Sequence, residues 1–307
     1  MAGVNPWKGA DSLILKRLIG MVLAGIFFIA AAAGEAVVVD QIHHPEAEFS
    51  FPEDSRLLEI AFPKIAECDA FMIRFGEETW LVDCATDKQA PAVLELLEKE
   101  HVDALDAILI THPHPDHAGG LETILDRYDT GRIMVCFDED ENEVMLEVVR
   151  LAKERDILLS HFYDEDEWTI GDVTVHAYLK SEEKDSVNNR SPLLRLQYGD
   201  GVMLLGSDLE NLGLRHIASK VDPDMLRTDI LKYPHHGKDP MIHEFWEKLD
   251  LKFTVITATH YHKNGTEDVR NKHWPYVVTN DGMVELLCDG STWLVRMAPG
   301  QGELVIH

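Results

Sequence analysis

With 307 residues, 45% of them hydrophobic, the chain can bury a large core in one extended domain or two small ones. Its 28 basic and 55 acidic residues leave a net charge of −27, which repels nucleic acid and anionic lipid unless positive charge is concentrated locally. Cys68, Cys84, Cys136 and Cys288 lack CxxC spacing, so they supply neither a zinc knuckle nor a disulfide framework; proximity alone would allow a Cys68–Cys84 bridge.

At the N-terminus, Lys8, Lys16 and Arg17 precede an unbroken apolar run over residues 18–33. Its length falls between a signal-peptide core and a full membrane span of about 20 residues. Ala31 and Ala33 offer small residues for cleavage before Gly34, and the basic flank would stay cytoplasmic, placing the remainder outside. Residues 1–36 are therefore expected to be a signal peptide or a membrane anchor. Residues 37–55, with Pro45 and Pro52, are expected to link it to a folded domain over 56–307. That domain opens with short strands predicted over 57–62, 70–75 and 80–82, the last ended by Asp83. Residues 91–101 follow as an amphipathic helix, with Val93, Leu94, Leu96 and Leu97 set against Glu95, Glu98 and Lys99.

An apolar strand over 107–110 then stops at Thr111, and His112, His114, Asp116 and His117 follow among Pro113 and Pro115. The prolines are expected to forbid helix and to hold the loop extended, so that alternate side chains converge. Imidazoles and a carboxylate at this spacing suit Zn²⁺, or Mn²⁺ and Fe²⁺. After Gly119-Gly120 helical spacing resumes over 121–128. A strand over 132–137, a helix over 141–155 and a strand over 173–179 come next. His161 and His176 read as partly buried polar residues rather than ligands.

In the second half, Asn188-Asn189-Arg190-Ser191-Pro192 leads into a hairpin over 193–205 that turns at Gly199-Asp200-Gly201 and ends in Gly206-Ser207-Asp208. A helix follows, then a strand over 229–233 and a second histidine loop, Pro234-His235-His236-Gly237. A helix over 241–249 and a strand over 253–257 precede a segment crowded with His260, His262, Lys263, Asn264, Arg270, Lys272, His273 and Trp274. That density suits phosphate contacts and base stacking, and equally an ordinary exposed loop. A hairpin over 283–297 closes the chain.

The HPHPDH run resembles the HxHxDH signature of the metallo-β-lactamase superfamily. The later run of NNxS, strand, GD, strand, aspartate and DILKxPHHG is similar to the metallohydrolase domain of the ComEC/Rec2 group. The resemblance implies an α/β fold, the αββα sandwich, and a centre for one or two divalent ions, zinc first and manganese or iron as alternatives. It would place His112, His114 and Asp208 on one ion, and Asp116, His117, Asp208 and His235 on the other. Asp208 would bridge, and Asp116 would serve as both ligand and proton partner. Asp83, Asn189, Ser191, Lys232 and His236 would support the ligands or meet substrate. The implied activity is that of an exported metal-dependent hydrolase, phosphodiesterase- or nuclease-like. A lactone, ester or amide hydrolase and a non-catalytic envelope-anchored module are the alternatives. Partners would be a small-molecule or phosphodiester substrate, and a membrane if residues 1–36 are retained. Nucleic acid is disfavoured by the net charge unless Lys263, Arg270 and Lys272 form a local patch. Three departures stand out. No histidine lies between Asn188 and Ser191 where many members have one, so the first site is expected to be a ligand short and the two ions unequally held. Lys238 replaces a serine, and Ile65-Ala66-Glu67 replaces a Gly-Gln-Gly ahead of Asp69.

Overall fold

Alternating apolar residues build the first strands of the computed structural model, which describes residues 49–180, 185–260, 265–298 and 302–307. Strand β1 (Leu58–Phe62) buries Leu58, Ile60 and Phe62 in the same cluster as Phe71, Ile73 and Phe75 of β2 (Phe71–Phe75). The chain continues through β3 (Glu78–Val82), β4 (Ala107–Leu109), β5 (Arg132–Val135) and β6 (Leu158–His161). It crosses to a second sheet with β7 (Glu167–Ile170), β8 (Val173–Tyr178), β9 (Leu193–Tyr198), β10 (Gly201–Leu205), β11 (Ile230–Lys232), β12 (Phe253–Ile256) and β13 (Tyr276–Val278). Finally β14 (Val284–Cys288), β15 (Trp293–Arg296) and β16 (Glu303–Ile306) return to the first sheet, where β14 pairs antiparallel with β1. The strand orders are β16-β15-β14-β1-β2-β3-β4-β5-β6 and β13-β12-β11-β10-β9-β8-β7.

Strands β3 to β6 are mutually parallel, as are β10 to β13. Parallel neighbours need crossovers, and helices supply them. Helices Ala90–Lys99, Leu121–Leu125 and Glu143–Glu154 cover the first sheet, packing Val93, Leu96, Ile124 and Val148 with Ile108 and Ile133. Helices Asn211–Lys220, His243–Trp246 and Glu267–Lys272 cover the second, packing Leu214, Ile217, Phe245 and Val269 with Leu204, Leu231 and Ile256. Between the sheets lies the third cluster, where Ile60, Ile73, Trp80 and Leu109 join Val175, Leu196, Met203, Ile230 and Phe253. Three apolar seams thus separate four layers, the αββα sandwich. Both parallel sets bring the carboxyl ends of their strands to polar loops, the edge where such sheets present ligand-binding groups.

Several expectations need correction. Strands β6, β7, β13 and β16 were not predicted, and the helix expected over 241–249 is only His243–Trp246. Pro115 does not forbid helix: it opens the turn Pro115–Ala118, at the first helical positions, where its missing N–H costs nothing. Cys68 and Cys84 are both buried and free, with no bridge between them. Residues 1–36, most of the linker and Lys263 lie outside the described residues. No helix among the described residues is long and apolar enough to cross a membrane.

Candidate metal centre

The histidine loop after β4 is strapped to the end of β3. Asp83 has a left-handed backbone, φ 57°, which turns its carboxylate across to the loop. That carboxylate accepts hydrogen bonds from the Thr111 amide at 2.8 Å and from the Thr111 hydroxyl at 2.7 Å. It lies 2.8 Å from His117 Nδ1. With the Nδ1 proton held there, the Nε2 lone pair of His117 faces the site. The backbone closes the strap, since Cys84 N donates to His117 O and Asp69 N to Asp116 O. Gly120 completes it, because a Cβ there would lie 2.2 Å from Cys84 O.

The second sheet supplies Asp208 just beyond β10 and two histidines just beyond β11. His235 (φ 47°, ψ 44°) and His236 (φ 53°, ψ 20°) are consecutive left-handed residues. Each costs on the order of 1–2 kcal/mol, so the surrounding structure must hold them. The turn sends the two rings different ways, their centroids 6.2 Å apart. His236 is buried, its Nε2 3.4 Å from Asp208 Oδ1 and 3.6 Å from Asp116 Oδ2. His117 Nε2 reaches the same Asp208 oxygen at 3.3 Å. One donor atom each from Asp116, His117, Asp208 and His236 lies within 4.8 Å of all the others. His117 Nε2, Asp208 Oδ1 and His236 Nε2 are buried without a hydrogen-bond partner. Buried orphans of this kind are rare and call for an unseen partner. Two imidazole nitrogens and two carboxylates are the donor set a first-row divalent ion takes. His112 and His114 lie outside that group, His112 Nε2 being 3.1 Å from His114 Nδ1 and 3.9 Å from Asp208 Oδ2.

This geometry exchanges the two expected roles in the His-His-Gly turn. His235 was expected beside Asp116 and His117 as the first histidine after the strand, but His236 takes that place. The reversed backbone at His235 swings its ring toward Asp239, at 3.0 Å, and leaves it partly exposed. Asn189 does not face the ligands, whereas Ser191 supports one through the backbone, its Oγ accepting from Asp208 N at 3.3 Å. The Asn189 amide is taken up by Ser186, Glu210 and Gly213, and Ser191 Oγ donates to Asn188 O. Lys232 lies beneath His236, its ammonium ion-paired with buried Asp69 and donating to Ser207 O at 3.0 Å. Asp69 also accepts from the Thr257 hydroxyl at 2.6 Å, and Thr257 Oγ1 lies 3.0 Å from His236 Nδ1. Asp69, Asp83 and His117 also lie close together, but Lys232 neutralises Asp69 and Thr111 occupies Asp83, so this group serves as support.

Electrostatics favour a cation at the cluster. Burial, reinforced by neighbouring His117, pushes the His112 pKa well below its ordinary value, which keeps its lone pairs free. Burial also opposes charge on His117 and His236, yet Asp208, joined by Asp83 at His117 and by Asp69 and Asp116 at His236, outweighs it and raises both, His236 to about 10. A field that holds protons on buried imidazoles would favour a divalent ion in their place.

Asp69, Thr257, Asp239 and Glu210 were not assigned roles from sequence. A threonine closing the apolar strand β12 was the one local signal for Thr257. Of the expected basic patch, Lys263 lies outside the described residues, and Lys272 lies 4.0 Å over the Trp246 ring, which packs edge-on against Trp274. His176 pairs with Glu167 across β7 and β8.

The metallo-β-lactamase superfamily model matches residues 66–169. ComE operon protein 3 of Bacillus subtilis (strain 168) is 28% identical over 198 residues, 61% of this chain and 24% of that protein. The anti-Pycsar protein Apyc1 of Paenibacillus sp. (strain J14) is 45% identical over 64 residues, 20% of this chain and 25% of that one. The chain thus spans about a quarter of the length of these curated relatives. Among solved structures, the metallo-β-lactamase fold protein YhfI of Bacillus subtilis superposes with a TM-score of 0.50 at 12% identity, covering 75% of this chain and 99% of that one. The sandwich and the HPHPDH loop at a strand end agree with the family match: over residues 66–169 the chain is similar to the metallo-β-lactamase superfamily, and its fold is that of YhfI.

Proposed function

We propose that this chain is a metal-dependent hydrolase acting on phosphodiesters. The observation that carries the reading is the set of three buried, unpartnered atoms, His117 Nε2, Asp208 Oδ1 and His236 Nε2, converging beside Asp116. A divalent ion held there, zinc first and manganese or iron as alternatives, would supply Lewis acidity toward water and an electrophilic substrate. The protein's own part is orientation and proton handling. Asp83 fixes His117, while Thr257 and the Asp69–Lys232 pair fix His236. Asp116 is the exposed member of the cluster, with 27% of its side chain open to solvent. Burial raises its pKa, but His236 and His117 outweigh this and hold the carboxyl well below the usual range. It is thus a carboxylate at the mouth, placed to take a proton from water. A centre open on one side suits turnover, whereas structural zinc sites normally close with four protein ligands.

The choice of a phosphodiester rests on the resemblance of the run from Asn188 to Gly237 to the ComEC/Rec2 metallohydrolase group. The net charge of −27 favours a small or short one over duplex nucleic acid. Lys238, directly after the His-His-Gly turn and 3.9 Å from Glu67, would meet a phosphate oxygen at the rim. Export is part of the proposal and rests on the basic-then-apolar residues 8–33. The test is a hydrolase panel of bis(p-nitrophenyl) phosphate, dinucleotides, lactones and β-lactams with added Zn²⁺ or Mn²⁺. Phosphodiester turnover that disappears in Asp116→Asn is expected. Turnover of lactones or β-lactams alone would overturn the substrate, and no turnover at all would favour a non-catalytic module.

A further inference from the structure

A cleft of about 460 Å³ opens at the end of the second sheet away from the metal centre, walled by Trp246, Glu247, Leu249, Asp250, Lys272 and Trp274. Asp208 and the His-His-Gly turn follow the carboxyl ends of β10 and β11. Leu249 and Asp250 instead precede β12, Trp274 precedes β13, and both strands run parallel with β11. The four residues of β12, roughly 13 Å at the usual strand rise, therefore stand between the two places. We infer that this cleft binds a small organic ammonium ion of the alkylated kind, against the indoles and between the carboxylates of Glu247 and Asp250.

Three observations support it. First, the two indoles form a corner. Their centroids are 6.3 Å apart, their planes cross at 80°, and both side chains are partly exposed. Left-handed His273 (φ 57°) sets the corner by turning the chain, so that Trp274 N donates to Val269 O at 3.1 Å. Second, one indole face already holds an ammonium, with Lys272 Nζ 4.0 Å from the Trp246 centroid. Such faces attract cations through the ring quadrupole. Among the described residues Lys272 has no ion pair, so the ring alone retains it and its long side chain can swing out to water. Third, the charges are unbalanced. Asp250 has no ion pair or hydrogen bond among the described residues, and the Glu247 carboxylate meets only His243 Nε2, at 3.1 Å. Two carboxylates against one lysine, in a chain of net charge −27, favour a cation and repel an anion.

The alkylated class follows from hydration. A lysine ammonium is compact and strongly hydrated, whereas methyl groups spread the charge and lower the cost of leaving water. Such a ligand can take the Trp246 face from Lys272, and Lys272 is then a tethered competitor.

The experiment titrates choline into the full chain, read by tryptophan fluorescence and calorimetry; activity is not the readout. Choline should bind saturably, and its uncharged isostere 3,3-dimethyl-1-butanol at least ~10-fold more weakly. Trp246→Leu should abolish binding, and Asp250→Asn should weaken it about 2–5-fold. Lys272→Met should tighten it, an effect that a purely structural lysine would not produce. Thermal unfolding verifies each fold; if Trp246→Leu does not fold, Trp246→Phe, with its weaker ring face, should bind less tightly than the parent. Absence of saturable choline binding, equal affinity for the isostere, or affinity not raised by Lys272→Met would each overturn the inference. None of these outcomes bears on the metal centre, so the hydrolase reading is tested separately.

Discussion

Asp83→Asn separates metal affinity from stability. Asp83 is fully buried, and asparagine preserves both its shape and its left-handed backbone. One carboxylate oxygen accepts from Thr111 N, while the other meets the Thr111 hydroxyl and His117 Nδ1. An amide in that place must set its NH₂ against a donor, either the Thr111 backbone or His117. The backbone cannot change, whereas the imidazole can move its proton. The Thr111 hydroxyl rotates to accept, His117 Nδ1 becomes the acceptor, and the one proton left on the ring is fixed on Nε2, aimed at Asp208 Oδ1 3.3 Å away. All the hydrogen bonds survive in altered polarity, so the metal-free protein should lose only the charge assistance, about 1–2 kcal/mol. The ligand, however, is in the wrong tautomer. Loss of such support typically costs about 10–100-fold in metal affinity, or roughly 1.4–2.7 kcal/mol. Urea unfolding of chelator-stripped protein and Zn²⁺ competition against a chromophoric chelator measure the two quantities. Parent-like zinc affinity in Asp83→Asn would refute the tautomer argument.

Other outcomes follow from the same geometry. Lys232→Met should destabilise by about 3–5 kcal/mol, since it leaves the Asp69 carboxylate buried without its counter-ion; a loss below about 1 kcal/mol in urea unfolding would contradict this. Lys272→Ala should cost about 0.5–1 kcal/mol through its contact with Trp246 and leave phosphodiester turnover unchanged. A fall in turnover with a flatter salt dependence would instead return Lys272 and Arg270 to the substrate path. A reporter fused after Val39 should reach the far side of the membrane, and a reporter confined to the cytoplasm would contradict export.

Much of the centre was legible because its residues lie next to strand ends that apolar runs mark out. HPHPDH follows one such run, and Asp208 and the His-His-Gly turn follow two more. The order of His235 and His236 was not legible, because it depends on backbone sign. An extended chain would present the first histidine to the site, whereas a doubly left-handed one turns that ring aside and inserts the second. Lys232 shows a different limit. A lysine closing an apolar strand reads as a residue at the edge of the core, and its partner Asp69 lies 163 residues earlier, on the other sheet's side of the chain order. Strands β6, β7 and β16 escaped because only Ile170 and Ile306 among their residues are buried, so apolar alternation is weak there. The short helix Pro115–Ala118 was masked by its own proline, which breaks helices in the interior and starts them at the end.

The most direct measurement is the metal content of the purified full chain after incubation with Zn²⁺ or Mn²⁺ and desalting, set beside that of Asp208→Ala. Asp208 is the one residue shared by both groups of histidines, so its carboxylate is the hinge of the assignment. At least one equivalent of divalent metal should remain on the parent and none on a folded Asp208→Ala variant. A parent that emerges free of metal, or a variant that retains as much as the parent, would contradict the account.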